Sequence, residues 1–304
     1  MPAWIILFLS ALYCVNRLRW HAKRRHCFVF CMNLFGCCRI ISVGSIPYTV
    51  HFFDFSASKQ MNKPYHLTCH MAVSIDGKAS GGFLENPRFA AHNEDYFRLF
   101  HQYNQTGRNW ICGRVSMAQA ITQNRVADTA AFKGKTASRE DFVGTIAERR
   151  FAIALDPDGK LGWTQNTIGD EYPALKGDHI ITILSERVAD EYLLYLQSLG
   201  ISYIFAGKEK PLSMKIALDK LHRLFGLDDF LLVGGGYING SFMQEGLIDT
   251  ISLIQTPLVE SRADSVSLFQ SDKGGNVLPA YRVTHHELFD DGALRLIYQR
   301  ADAQ

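Results

Sequence analysis

The sequence has few cysteines outside its first sixty residues, and it has no apolar run of the length that crosses a membrane. Of seven cysteines, only Cys69 and Cys112 lie beyond residue 60. Two scattered cysteines predict a reducing compartment, the cytoplasm, and no disulfide framework. The apolar run Trp4–Val15 has about a dozen residues, whereas a spanning helix needs roughly 20. We therefore expect no membrane partner for the main body of the chain.

Most of the chain also lacks a surplus of positive charge. The 304 residues include 32 basic and 30 acidic side chains, for a formal net charge of +2. Residues 1–60 hold seven of the basic and one of the acidic side chains, which leaves 25 basic and 29 acidic in residues 61–304. This balance argues against a general basic face, and we expect no nucleic-acid partner. A bound phosphate would have to be held by a local pocket.

Residues 1–60 show no recognisable targeting or metal-binding pattern. The positive charges of Arg17–Arg25 follow the apolar run, whereas a secretory signal carries them before it. An interfacial anchor is one alternative. The four cysteines between residues 27 and 38 have no C-x2-C spacing, so we predict no metal site. We interpret residues 1–60 as a disordered extension or a misassigned start, and residues 61–304 as one domain.

Strand and helix patterns alternate along residues 61–304. Apolar runs predict strands over residues 66–75, 110–112, 151–155, 179–184, 201–205, 230–233 and 250–256. Helical spacing predicts helices over residues 93–103, after residue 116, over 189–199 and 211–225, and from the glycines to about residue 245. Two final segments, 281–288 and 293–298, flank an Asp-Asp-Gly turn and predict a hairpin. The expected fold class is α/β, a mixed sheet that is mostly parallel with an antiparallel C-terminal hairpin and helices on both faces.

The segment Phe230–Gly240 joins an apolar strand to three glycines and a predicted helix. Glycines let the backbone approach a ligand closely, and a helix N-terminus offers free N–H groups and a positive dipole end. The junction predicts a pyrophosphate site at Gly234, Gly235 and Gly236, with a ligand-free turn as the alternative. It is neither a G-x-G-x-x-G fingerprint nor a phosphate loop ending in Gly-Lys-Ser/Thr.

Two further turns follow predicted strands. In the first, Arg114 supplies a planar cation and Ser116 a hydroxyl, and both suit a phosphate oxygen. The alternative for Ser116 is a helix N-cap. In the second, a buried strand opens into a turn that carries Asp76 and Lys78, and solvated turn residues are the alternative there.

In this order, the motifs resemble the dihydrofolate reductase-like superfamily and in particular its riboflavin-pathway branch, the pyrimidine reductase domain. The resemblance covers about residues 65–269. Ser74-Ile75-Asp76-Gly77-Lys78 matches the family's Ser-Leu-Asp-Gly-Lys, and Gly113-Arg114-Val115-Ser116 matches Gly-Arg-x-Thr. The strand ending at Asp156, the glycine turn, and the segment 246–257 that ends in Pro complete the set.

The resemblance implies an NADPH-dependent reductase that transfers hydride to a small heterocyclic substrate, such as 5-amino-6-(5-phosphoribosylamino)uracil. It also implies a homodimer. By analogy the nicotinamide lies near Val73 and Ser74, and Ser185, with Arg187, reaches the adenosine 2′-phosphate. Asp76 and Lys78 face the substrate as catalytic candidates. The residues implied to hold the rest of the dinucleotide are Gly113, Arg114, Ser116, Gly234, Gly235, Gly236, Tyr237 and Ile238.

The sequence departs from this branch in two places. The family has Glu-Gly-Gly at the late motif, where this chain has Gly234 at the position of the Glu. The family's Asp-x-Pro-x-Leu-x-x-Arg segment is replaced by a sequence in which Arg125 and Asp128 occur outside that pattern. A zinc deaminase motif, H-x-E with P-C-x-x-C, is absent from the sequence.

These departures leave two alternatives to the riboflavin-pathway substrate. One is a related reductase that acts on another carbonyl or imine. The other is a nucleotide-binding protein without turnover, because the motifs name no proton donor. Glu85 and Asp95 are the candidates for that role.

Overall fold

The computed structural model describes residues 30–32, 38–40, 63–107, 109–147, 149–271 and 279–301. The chain divides into two units, Met1–Ser56 and Ala57–Gln304. In the first unit, strands Phe30–Met32 and Cys38–Ile40 pair antiparallel. The other residues of the segment 1–60, which we interpret as an extension or a misassigned start, lie outside the described residues. Within the described ranges, no helix is long and apolar enough to span a bilayer.

The second unit is built on a nine-stranded sheet. Its strands are β1 His66–Val73, β2 Asn109–Gly113, β3 Phe151–Leu155, β4 His179–Leu184, β5 Ser202–Phe205, β6 Asp229–Leu232, β7 Thr250–Gln255, β8 Tyr281–Leu288 and β9 Leu294–Arg300. The order across the sheet is β8-β9-β7-β1-β6-β2-β3-β4-β5. Strands β1 to β7 are parallel, and β8 and β9 form the antiparallel edge. The predicted sheet class and C-terminal hairpin are confirmed.

Helices cover both faces of the sheet, as predicted. They are α1 Phe89–Gln105, α2 Arg114–Ala120, α3 Asp190–Leu199, α4 Met214–Phe225 and α5 Gly236–Gln244. Because successive strand residues point to opposite faces, Ile111 and Ile153 pack in the core beneath α4 and α5. Trp110 and Ala152 pack on the other face, with residues of α1, α2 and α3.

Local hydrogen bonds explain where elements begin and end. Strand β1 stops at Val73, earlier than predicted, because Ser74 closes a turn by accepting the Gly77 N–H at 2.9 Å. Helix α4 starts at Met214 because the Ser213 hydroxyl caps it. Helix α2 starts at Arg114, with Gly113 in the N-cap position, so the alternative that Ser116 is the N-cap is wrong.

Two histidines are buried in the core of the second unit. The ring nitrogens of His70 lie 3.0 Å from Ser252 Oγ and 3.1 Å from the Tyr96 carbonyl oxygen. His179 Nε2 lies 2.8 Å from Ser202 Oγ. Burial lowers the pKa of both imidazoles to about 4, so both are neutral at pH 7.

We expect the free energy of unfolding to fall as the pH is lowered from 7 to 5. Below pH 6.5 the unfolded chain protonates these histidines, whereas the folded chain keeps them neutral down to about pH 4. Each histidine then contributes a loss of up to about 1.4 kcal/mol per pH unit. Urea unfolding of the wild type and of His179→Gln at both pH values measures this loss. An equal pH dependence in the two proteins would contradict the assignment to His179.

Candidate active site

The two glycine turns lie side by side at the carboxyl edge of the parallel strands. Strands β2 and β6 are neighbours, and each turn directly follows one of them. The Gly113 N–H donates to the Gly234 carbonyl oxygen at 2.9 Å, and the Val233 N–H donates to that of Ile111 at 2.9 Å. A Cβ atom on Gly113 would lie 2.5 Å from Ile238 Cδ1. The structure therefore brings Gly113, Gly234 and Ile238 together.

Both turns lead into helices whose first turns have no side-chain cap. Gly113 is the N-cap residue of α2 and Gly235 that of α5, and neither helix receives a side-chain capping hydrogen bond. The first N–H groups of a helix have no acceptor within the helix, so these two turns offer amide donors at the same edge. A Cβ atom on Gly235 would meet no atom within 4 Å, which leaves open space before α5. Tyr237, in the first turn of α5, is 51% exposed.

The other two glycines of the late turn are in closely packed positions. Gly234 has φ +92°, and a Cβ atom there would lie 2.7 Å from Met71 Sδ. The Gly234–Gly235 peptide bond is cis. A Cβ atom on Gly236 would lie 2.0 Å from the Ser267 carbonyl oxygen. The three glycines thus differ in surroundings: Gly235 faces open space, while Gly234 and Gly236 face protein atoms.

A buried carboxylate lies at the end of β3, beside the first turn. Asp156 Oδ2 accepts the N–H groups of Lys160 at 2.7 Å and Leu161 at 2.9 Å, and the Tyr192 hydroxyl at 3.2 Å. Its Oδ1 is buried and has no partner within the described part of the chain. Burial raises the pKa of this carboxyl, and the hydrogen bonds from Leu161, Lys160 and Tyr192, followed by the positive charge of Arg114, oppose that rise. Oδ1 is therefore a buried acceptor whose hydrogen-bonding capacity is not used by the described residues.

A cavity of about 410 Å³ opens next to the two turns, between α1, α2 and residues 171–175. Its lining residues are Tyr96, Phe97, Phe100, His101, Trp110, Cys112, Ser116, Met117, Ala120, Ile121, Glu171, Tyr172, Pro173, Ala174, Leu175 and Val233. Cys112 and Val233 each directly precede the first glycine of a turn. The Cys112 thiol is buried, and this burial raises its pKa to about 11. The cavity is thus continuous with the edge that carries the free amide groups.

Residues 65–294 match the family described as the RibD C-terminal domain. The chain belongs to this family. A pyrimidine reductase-like protein from Corynebacterium diphtheriae is similar, with 15% identity and a TM-score of 0.54 over 78% of this chain and 92% of that one. Acinetobacter baumannii RibD has 18% identity and a TM-score of 0.52 over 78% of this chain and 58% of that one. At these identities the likeness shows the fold alone. No curated protein matches the chain.

Within this RibD C-terminal domain, Asp76 is held by the residues around it. Its Oδ1 accepts the Ser74 hydroxyl at 2.7 Å and the Glu260 N–H at 3.0 Å, and its Oδ2 accepts the Ser261 N–H at 2.9 Å. These hydrogen bonds, that of Ser74 foremost, lower the pKa of Asp76 to about 2. Asp76 is therefore ionised and ties the turn after β1 to residues 260–261. Its catalytic role stays a prediction.

Lys78 and Glu260 take part in further hydrogen bonds between the segment after β1 and residues 260–265. Lys78 Nζ donates to the Ser265 carbonyl oxygen at 2.9 Å. The buried Glu260 carboxylate accepts the Ser265 hydroxyl at 2.7 Å and the Phe83 N–H at 2.9 Å. A Cβ atom on Gly81 would lie 2.2 Å from the Glu260 carboxyl carbon. Sequence reasoning missed Glu260, because nothing in its polar surroundings distinguishes it from a solvated residue.

The remaining predicted residues are not among the described residues that line the cavity. Val73 and Ser74 are buried at the carboxyl end of β1. The Ser185 hydroxyl donates to the Pro157 carbonyl oxygen at 2.8 Å, and Arg187 pairs with an exposed glutamate on the surface. Their contact with a 2′-phosphate stays a prediction. The candidate proton donors Glu85 and Asp95 are not among the described residues that line the cavity.

Proposed function

We propose that this chain is an NADPH-dependent reductase that transfers hydride to a small heterocyclic substrate of the class of 5-amino-6-(5-phosphoribosylamino)uracil. The observation that carries the proposal is the 2.9 Å hydrogen bond from Gly113 to Gly234, which joins two uncapped turns beside an aromatic cavity. Membership of the RibD C-terminal domain family supports a reductase. The similar protein from Corynebacterium diphtheriae is described as pyrimidine reductase-like, which points to the same chemistry.

The residues at the two turns fit a dinucleotide. Amide groups at the starts of α2 and α5 suit a diphosphate, and the Arg114 guanidinium adds a positive charge beside them. The bound NADPH supplies the hydride. Gly235, with open space before it, is where the backbone admits the diphosphate.

The cavity supplies what the chain itself contributes to the reaction. Aromatic walls from α1 and Trp110 favour a flat ring and exclude water from it. Val233 and Ser116 lie where the cavity meets the turns, so a ring held there would lie next to the proposed cofactor site. Orientation of this kind is the main contribution a protein makes to hydride transfer from a cofactor.

Oxidation of NADPH in the presence of candidate substrates tests the proposal. The panel contains 5-amino-6-(5-phosphoribosylamino)uracil, its phosphate-free form, and unrelated carbonyl and imine compounds. We expect loss of the reduced nicotinamide absorbance with an aminouracil. Tight binding of NADPH without oxidation by any member of the panel would instead favour a nucleotide-binding protein without turnover.

We expect Arg114→Ala to weaken NADPH binding by about 1–3 kcal/mol, the range of a hydrogen bond to a charged group. Arg114 begins α2 directly after the Gly113 turn, and its guanidinium has no substitute in alanine. Isothermal titration calorimetry measures the change. Arg223→Ala is the matched control, because Arg223 is an exposed residue of the last turn of α4 and should leave the affinity unchanged. Equal affinities for Arg114→Ala and the wild type would remove Arg114 from the site.

A further inference from the structure

The cavity beside the two turns has a charge pattern that restricts what it can hold. None of the described residues that line it is a lysine or an arginine. The one carboxylate among these residues belongs to Glu171, which is exposed. Arg98, on α1, is engaged with Asp95 through an ion pair and does not line the cavity. Among the described lining residues, a bound anion would therefore meet the carboxylate of Glu171 and no cationic side chain.

The polar groups inside the cavity are neutral. His101 Nδ1 is buried and has no partner among the described residues, and burial lowers the pKa of this imidazole, so it stays uncharged at pH 7. The Cys112 thiol is uncharged as well, because burial raises its pKa to about 11. With the Ser116 hydroxyl, these groups form hydrogen bonds but do not compensate a charge.

The rest of the lining favours a flat ring. Tyr96, Phe97, Phe100, Trp110 and Tyr172 place aromatic surfaces around the space. Aromatic side chains bind planar ligands by stacking and edge contacts, with a few polar groups fixing the orientation. A phosphate monoester carries about two negative charges at pH 7, and such a charge is costly to bury without a cation.

We propose that the cavity binds a planar heterocycle without a phosphate group, neutral or singly positive, with a polar edge toward His101 and Ser116. The proposal rests on the proposed function, since it names the substrate class of the same site. It departs from the phosphoribosyl substrate of the resembling family. Glu171 is the acidic side chain among the described lining residues, and we expect its carboxylate to disfavour a phosphate and to tolerate an amino group.

Two ligands that differ only in the phosphate test the proposal directly. They are 5-amino-6-ribosylaminouracil and its 5′-phosphate, and their dissociation constants are measured by calorimetry on the full chain. We expect the phosphate-free ligand to bind at least tenfold more tightly. Tighter or equal binding of the phosphate ester, or binding of neither ligand, would overturn the proposal.

Variants of two exposed lining residues, Glu171 and Ala120, sharpen the test. Glu171→Lys should improve the affinity for the phosphate ester at least tenfold, and Glu171→Gln should give an intermediate gain. Ala120→Trp places a large ring at a position where the wall is exposed, and it should abolish binding of the phosphate-free ligand. Retained binding in a folded Ala120→Trp protein would show that the ligand sits elsewhere and overturn the proposal.

Failure of this inference is distinguishable from failure of the proposed function. Calorimetry reports binding whether or not NADPH is oxidised. A phosphate-free ligand that binds tightly but never oxidises NADPH would sustain the cavity assignment and reject the reductase. Oxidation of NADPH by the phosphate ester alone would support the reductase and reject the cavity assignment.

Discussion

Replacing Gly236 with alanine is expected to lower the free energy of unfolding by about 3 kcal/mol, the upper end of the cost of overpacking. The added Cβ atom would lie 2.0 Å from the Ser267 carbonyl oxygen and 2.7 Å from Val266 Cγ1. The nearest obstacle, the Ser267 carbonyl group, belongs to the backbone, and hydrogen bonds of the neighbouring residues hold it in place. The Ala79 N–H donates to the Val266 carbonyl oxygen at 2.8 Å, and the Leu268 N–H donates to that of Gly77 at 3.0 Å.

Urea unfolding measures the loss, with Gly235→Ala as the matched control. The two variants add the same methyl group to adjacent residues, but only the one at Gly236 meets protein atoms. A free energy of unfolding within about 0.5 kcal/mol of the wild type for Gly236→Ala would mean that residues 266–267 yield easily, and it would contradict the rigidity inferred here.

The strands could be predicted from the sequence because buried parallel strands appear as continuous apolar runs. Strands β3 and β4 have the predicted bounds, Phe151–Leu155 and His179–Leu184. The glycine turns could also be predicted from the sequence, because a strand followed by glycines and a helical pattern is a local signal. Gly113 and Gly234 touch because a crossover places β6 between β1 and β2. Only the resemblance indicated this contact in advance.

Contacts between distant parts of the chain account for what the sequence could not show. The Phe83 N–H and the Glu260 carboxylate lie 177 positions apart, and no local pattern couples them. The cavity escapes sequence analysis for the same reason. Tyr96, Phe97 and Phe100 have the spacing of an ordinary packing face, and only the positions of α2 and residues 171–175 leave a space beside them. Asp156 is visible as the end of a strand, but its unpartnered oxygen is not.

The three consecutive glycines also show what the sequence cannot reveal about single residues. In the sequence Gly234, Gly235 and Gly236 are equivalent, and one cofactor-binding role was predicted for all of them. In the structure a Cβ atom would meet Met71 at Gly234, the Ser267 backbone at Gly236, and nothing within 4 Å at Gly235. Close packing of the turn therefore explains two of the glycines without a ligand. The ligand hypothesis depends on the middle one.

Replacing Gly235 with alanine is accordingly expected to weaken NADPH binding at least tenfold, about 1.4 kcal/mol, while the free energy of unfolding stays within about 1 kcal/mol of the wild type. The backbone of Gly235 has φ −79°, which alanine adopts readily. Alanine is a poorer N-cap than glycine, but it also reduces the entropy of the unfolded chain, and the two effects offset each other. The new methyl group would occupy the open space before α5, where a diphosphate must approach the amide groups.

Calorimetric titration of NADPH into Gly235→Ala, with urea unfolding of the same sample, measures both quantities. Loss of affinity in a protein of unchanged stability would separate a ligand effect from a folding effect, which Gly236→Ala cannot do. A stable Gly235→Ala protein that binds NADPH as tightly as the wild type would mean that the diphosphate does not contact this turn. The two-turn cofactor site would then have to be abandoned, because Gly235 is the part of the late turn that faces open space.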